Sequence, residues 1–185
     1  MNGVILVVAA TERELEQLDG AETFCCGIGP VEAALQTARA LAARRPQAVL
    51  HVGIAGAREL APLELVLGSE AVYCDVVDPS STLPRVERES PDAALLEAAR
   101  AALPEARVLP IGTCGRVGGG DGCDVEAMEG FGVLRAAALA GVPAVELRVV
   151  SNAVDEPDRA RWRIADALDA LAAAVPRVIA AVDGA

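Results

Sequence analysis

The stretch AVLHVGIAGA, residues 48–57, is an unbroken apolar run that stops in a cluster of small residues. A continuous apolar pattern of this length, without helical periodicity, is what a strand covered on both faces shows. The same sentence of strand and small turn is written elsewhere in the chain. VILVVAA (4–10) runs up to Thr11, and Thr11 with Glu14 three residues on spells a capping box that opens a helix. ETFCCGIGP (22–30) is a short strand closing on a glycine turn, and Pro30 suits the first position of a helix over PVEAALQTARALAARR (30–45).

Further along, LELVLGSEAVYCDVV (63–77) reads as two strands about Gly68, and DPSSTLP (78–84) as a loop. PDAALLEAARAALP (91–104) is a helix bounded by prolines, ARVLPIGTCG (106–115) is strand-like, and GRVGGGDG (115–122) is too rich in glycine to be anything but loop. EGFGVLRAAALAGV (129–142) reads as a helix and PAVELRVVSN (143–152) as a strand. DRARWRIADALDALAAAVPRVIAAV (158–182) reads as a long last helix that Pro176 should kink or interrupt. The alternation predicts an α/β fold with at least four strands. At 185 residues the expectation is one domain, 1–185.

Hydrophobic residues make up 53% of the chain and aromatics only 2%, so the core must be built from small aliphatic side chains. The net charge of −11 argues against nucleic acid, whose binding needs basic residues over phosphates. Every basic residue is arginine, which removes Schiff-base and pyridoxal phosphate chemistry, since both need a lysine amine. No cofactor is expected. Five cysteines form no CxxC pair and stand with a single histidine, so no metal site is expected either. The N-terminal apolar run is too short to span a bilayer and lacks a basic leader, and the odd cysteine count suits a reducing compartment. The expected location is cytoplasmic, with no membrane partner.

Ligands of open α/β sheets lie outside the carboxyl ends of the strands. That directs attention to Glu12 and Glu14, Gly27 to Pro30, Ala55 and Gly56, Met128 and Glu129, and Ser151 and Asn152. GIGPVEA lacks the third small residue of a dinucleotide motif, Glu32 standing in its place, and reads as a strand-to-helix turn whose amides could still line a pocket. Glu12 and Glu14 fit either helix-dipole compensation or catalysis, and Glu129 either an ordinary helix-start carboxylate or a ligand-facing one. His51 reads as a hydrogen-bonded core histidine. Cys114 and Cys123 flank the glycine loop with no local histidine to activate a thiolate and read as small filler.

Taken in order, AATERELEQL, GIGPVEAA, VGIAGA, AMEGFGV and VVSNAVD resemble the marker segments of the purine nucleoside phosphorylase and nucleosidase superfamily. Within it, EAMEGFGV followed by LRVVSNAVDEPDRARWRIADAL is similar to the branch that hydrolyses futalosine. The resemblance implies a three-layer α/β fold with a central mixed, partly barrel-like sheet flanked by helices. It implies hydrolysis of the N-ribosidic bond of futalosine to hypoxanthine and dehypoxanthinyl futalosine, in menaquinone synthesis, by a homodimer or larger assembly. Phosphorolysis of a 6-oxopurine nucleoside and non-catalytic nucleoside binding are the alternatives.

Residue by residue, the resemblance implies that Glu14 activates water, Glu129 accepts from the ribose hydroxyls and Met128 packs on the sugar. Asn152 would meet the purine at N7 and the 6-substituent, beside Ser151, Ala55 and Gly56. Trp162 would line the pocket or anchor the last helix, and Arg148 would orient Glu129 or pair elsewhere. Relatives that cleave adenine nucleosides carry aspartate at the place of Asn152, so its amide, one donor and one acceptor, implies a 6-oxo base. The segment between Cys114 and Glu126 is short and without an aromatic, which leaves Phe131, an aliphatic side chain or nothing to cover the base.

Overall fold

The computed structural model describes residues 4–78, 80, 82, 84–120 and 122–183. Its elements are β1 (Ile5–Ala9), α1 (Glu12–Leu15), β2 (Glu22–Cys25), α2 (Pro30–Arg44), β3 (Ala48–Ala57), β4 (Leu65–Tyr73), β5 (Arg88–Glu89), α3 (Ala93–Ala102), β6 (Arg107–Thr113), β7 (Val125–Ala127), α4 (Gly130–Ala140), β8 (Ala144–Ala153) and α5 (Ile164–Val182). Parts of the loops read over 78–84 and 115–122 fall outside the described residues.

The eight strands form one mixed sheet. β3 pairs with β8, β8 with β4, β4 with β6, β6 with β7 and β7 back to β3, so five strands close into a ring. β1 and β2 extend the sheet in parallel from the first half of β3. β3 and β8 are buried along almost their whole length, which is why their sequences read as unbroken apolar runs. One aliphatic core lies between the sheet and α3 with α5, and a second between β1, β3 and α2 with α4.

Three details differ from the sequence reading. LELVLGSEAVYCDVV forms one strand rather than two, and the glycine marks a register shift between Gly68 and Glu70 against β6. A bulge of this kind bends a strand without ending it. The final helix starts at Ile164, after a 3-10 turn at Arg159–Arg161 whose Ala160 amide donates to the Asp158 carboxylate. Nor does Pro176 interrupt that helix. Its ring is exposed, while Leu168, Leu171, Ala174, Val175, Val178 and Val182 on the other face are buried. Burial of such aliphatic side chains is worth about 1.5–3 kcal/mol each, which outweighs the roughly 3 kcal/mol that a helix-interior proline costs.

Two backbone features position the site. At the Ala55/Gly56 step of β3 the partner on β8 jumps from Val150 to Asn152, so Ser151 is an extra residue in the ladder. The bulge re-aims Ser151 and Asn152 at the carboxyl end of both strands. In addition α2 and α4 cross closely, since a Cβ on Gly132 would lie 2.6 Å from the Pro30 carbonyl oxygen. That contact brings the Gly27–Pro30 turn against the start of α4. Among the described residues, no helix is long and apolar enough to cross a membrane.

Candidate active site

Glu14, Ala55, Gly56, Met128, Glu129, Arg148, Ser151, Asn152 and Trp162, scattered over the chain, all line one cavity of about 370 Å³. Glu12 is exposed and does not line it. The volume falls in the range of small-molecule sites.

The Glu14 carboxylate is held from two sides. Its Oε2 accepts from the Thr11 amide at 3.0 Å and the Thr11 hydroxyl at 2.8 Å, and its Oε1 accepts from the Ile54 amide at 3.2 Å. The capping-box spelling thus ties α1 back on itself and turns the carboxylate toward β3. Gly53 makes room for it: a Cβ there would lie 2.7 Å from Oε1 and 2.3 Å from Nη1 of Arg148.

Glu129, just before α4, is 4% exposed. Its Oε1 accepts from the Gly29 amide at 3.1 Å, and its Oε2 lies 3.6 Å from Nη2 of Arg148. Gly29 has φ near +93°, a conformation that a side chain would strain, so the glycine turn supplies an amide to a carboxylate rather than a cradle for a phosphate. Burial pushes the Glu129 carboxyl above the ordinary glutamate value, while Arg148 and the Gly29 amide oppose the rise.

Behind Glu129 lies a buried network of which the sequence reading named His51 and Arg148 but missed Glu146. Arg148, 1% exposed, donates through Nε to Glu146 at 2.8 Å, through Nη1 to the Ile54 carbonyl at 3.4 Å and through Nη2 to Nε2 of His51. Nδ1 of His51 faces the Val8 carbonyl at 2.9 Å. A carbonyl can only accept and a guanidinium can only donate, so His51 is the neutral Nδ1–H tautomer. Its pKa lies well below the usual histidine value because it is buried and because Arg148 adjoins it. Glu146 is fully buried with Oε2 unpartnered, and a Cβ on Gly130 would lie 2.5 Å from each of its oxygens. Arg148 therefore serves both readings made of it, pairing with Glu129 and with a structural carboxylate. The available signal was a glutamate and an arginine two residues apart in an apolar strand, which places both on one face.

Asn152 is 6% exposed. Its Nδ2 donates to the Ala153 carbonyl at 2.9 Å, and its Oδ1 accepts from the Ser151 hydroxyl at 2.7 Å. Ala153 fixes which way the amide points. One N–H and one oxygen lone pair remain for a ligand.

Trp162 is the one aromatic residue that lines the cavity among the described residues. Its indole donates to the Glu156 carbonyl at 3.0 Å, and Arg159 lies over its ring at 5.1 Å. Phe131, considered for the base, instead stacks on Tyr73 with ring centroids 5.2 Å apart. Glu126, also on the cavity wall, accepts from the Gly118 and Gly120 amides and so anchors the glycine loop. Cys114 lines the cavity too, but burial pushes its thiol up to about 11, so it is no thiolate nucleophile near neutral pH. Among the described residues no group of three or more His, Cys, Asp and Glu side chains is placed to hold a metal ion.

The cavity thus combines a backbone-held carboxylate, a buried carboxylate–arginine pair and an oriented amide. Such a set can position water, stabilise developing positive charge on a sugar and hydrogen-bond a planar base.

Comparison with known proteins bears on the reaction class. Residues 23–127 match the family model described as the phosphorylase superfamily. Futalosine hydrolase of Streptomyces coelicolor is 60% identical over 57 residues, a stretch covering 31% of this chain and about a quarter (24%) of that relative's length. Among solved structures, a Helicobacter pylori MTAN mutant with 5′-methylthioadenosine in its active site superposes with a TM-score of 0.87 at 18% identity, covering 97% of this chain and 99% of the other. A futalosine hydrolase mutant of Helicobacter pylori superposes with a TM-score of 0.86 at 18% identity, covering 96% and 99%. The three-layer arrangement with its partly closed mixed sheet is the fold of these nucleosidases.

Proposed function

Since the chain belongs to the phosphorylase superfamily, we propose that it is a nucleosidase that hydrolyses the N-ribosidic bond of futalosine, releasing hypoxanthine and dehypoxanthinyl futalosine. The observation that carries this reading is the amide of Asn152, held by Ser151 and Ala153 with one donor and one acceptor to spare. The spare N–H meets O6 of a 6-oxopurine, and the spare lone pair of Oδ1 meets N7–H of the departing base. The 60% identity to a futalosine hydrolase over part of the chain supports the choice of nucleoside.

In this reaction Glu14 orients a water molecule and takes its proton as the water oxygen bonds to C1′. The electron pair of the C1′–N9 bond flows into the purine, which takes a proton from solvent water at N7 as it leaves. Positive charge grows on the ribose in between, as in glycoside hydrolysis, and Glu129 stabilises it while accepting from the ribose hydroxyls. Met128 packs on the sugar, and Trp162 supplies the flat surface that Phe131 does not. A homo-oligomer fits the exposed apolar residues Val31 and Leu35 at the start of α2 and Ile28 in the turn before it. Cytoplasmic location and a single domain over 1–185 belong to the same proposal.

Incubation with futalosine and chromatography of the products is the direct test. Hypoxanthine should appear without added phosphate, and its absence would remove the proposal. Phosphate-dependent turnover would identify a phosphorylase instead. Asn152→Asp replaces the spare donor by a carboxylate oxygen that, once protonated at the other oxygen, suits N7 and a 6-amino group. A mispaired buried polar group costs about 1–3 kcal/mol, so the ratio of kcat/KM for the 6-amino over the 6-oxo nucleoside should rise by about tenfold or more. An unchanged ratio would show that Asn152 does not read the base.

A further inference from the structure

His51 is fully buried within β3 and does not itself line the cavity, yet it meets Arg148, the buried arginine that does. A guanidinium carries five N–H groups, and those of Arg148 can be followed one by one. Nε–H donates to Glu146, one N–H of Nη1 to the Ile54 carbonyl and one N–H of Nη2 to Nε2 of His51. That leaves one N–H on each terminal nitrogen. On Nη2 it is left for the side of Glu129, whose Oε2 lies 3.6 Å from the nitrogen. On Nη1 it is left for the side of Glu14, since a Cβ on Gly53 would lie 2.3 Å from Nη1 and 2.7 Å from Oε1 of Glu14.

His51 suits this place because it accepts a hydrogen bond without adding charge. Its Nδ1–H is spent on the carbonyl of Val8, the β1 residue beside it in register, so the lone pair of Nε2 has a fixed direction. A carboxylate here would bring a further negative charge into a buried pocket that already holds Glu146 and Glu129, and would compete with Glu129 for the guanidinium. An apolar side chain would leave an N–H of Nη2 without an acceptor and the guanidinium free to turn toward another one. The Glu146 bond to Nε holds the same plane at its other edge.

Resting on the nucleosidase reading above, we propose that His51 is a positioning residue for that reaction: as a neutral acceptor on Nη2 of Arg148, it turns the other N–H of Nη2 to Glu129 and so fixes the carboxylate that accepts from the ribose hydroxyls. It touches neither substrate nor water. Its effect passes from the Val8 carbonyl through the imidazole and the guanidinium to Glu129, whose other oxygen is held by the Gly29 amide.

Two substitutions separate the two nitrogens of the ring. His51→Asn places its amide nitrogen near Nδ1, so it keeps a donor for Val8 and takes the acceptor from Arg148. His51→Gln places its amide oxygen near Nε2, so it keeps that acceptor and gives up the Val8 bond. 9-Deazafutalosine, which cannot be hydrolysed, and its 2′-deoxy counterpart are titrated calorimetrically into each protein, and hypoxanthine release from futalosine and thermal melting are measured alongside. Wild type should prefer the ribose form by about tenfold or more, the loss expected when a buried acceptor is left without its hydroxyl. In His51→Asn that preference and kcat should both fall severalfold with the affinity for the 2′-deoxy form little changed, and in His51→Gln both should be rescued. An unaltered preference in His51→Asn overturns the positioning role, as do losses in the two variants that run parallel to their melting temperatures. If His51→Asn does not fold, His51→Gln decides alone by keeping or losing the preference, and failure of both to fold makes the role structural and overturns it. A ribose preference that depends on His51, without any hypoxanthine release by wild type, would leave the positioning role standing and remove the nucleosidase reading. Release that is the same in wild type and His51→Asn would do the reverse.

Discussion

Glu14→Gln is expected to lower kcat for hypoxanthine release by about a thousandfold or more, within the usual reach of a general base that also positions the nucleophile. Both oxygens of Glu14 accept from backbone amides, Thr11 on one side and Ile54 on the other. Only a carboxylate can accept on both sides. A glutamine must turn its NH2 toward one of those N–H groups, so the variant loses a hydrogen bond, about 1 kcal/mol, together with the base. The protein should remain folded with a melting temperature a few degrees lower, and nucleoside binding should survive in calorimetry. A folded variant with wild-type kcat would take Glu14 out of the reaction.

The second large effect concerns stability. Arg148→Met removes the one cation from a pocket that holds Glu146, fully buried, and Glu129, 4% exposed. Removing one partner of a buried ion pair typically costs about 3–5 kcal/mol, a large share of the roughly 5–15 kcal/mol by which domains are stable. The pH dependence has a definite sign. With the arginine gone, the folded-state pKa of the Glu129 carboxyl, already raised by burial, moves further above its unfolded value. Below the unfolded value, about 4.3, that carboxyl is protonated folded and unfolded alike and there is no penalty. As pH rises past that point the unfolded chain ionises more readily, and the variant loses stability until the folded group also ionises. The gap in melting temperature between wild type and variant should therefore be widest near neutral pH and close toward pH 4. A gap that is constant or widens in acid would contradict the burial argument. Adding Glu146→Met to the variant should restore much of the stability, but not activity, because Glu129 would still lack its guanidinium.

Much of this was legible because strands buried on both faces announce themselves as apolar runs. β3 and β8 matched AVLHVGIAGA and, within a residue at either end, PAVELRVVSN, and their carboxyl ends carried the candidates Ala55, Gly56, Ser151 and Asn152. Gly68 was read as a break because a local pattern cannot distinguish a bulge, whose continuity depends on the partner strand β6. β5, two residues long, is too short to carry any periodicity. Ring closure was reached through resemblance alone, since the pairing of β7 with β3 joins residues some seventy apart in sequence. The spacing of Glu146 and Arg148 places both on one face of β8, but their meeting with Glu129 and His51 arises from tertiary proximity, which no spacing along the chain encodes.

Each of the five strands in the closed ring is held by neighbours on both sides. The floor built on the ends of β3, β7 and β8 consequently cannot widen by shedding a strand, and under the proposed function base and sugar would meet surfaces of fixed shape. The rim is made of the α1 turn, the glycine loop and the 3-10 turn, segments that can change length without opening the ring. The shape of the rim is thereby uncoupled from the integrity of the ring beneath it.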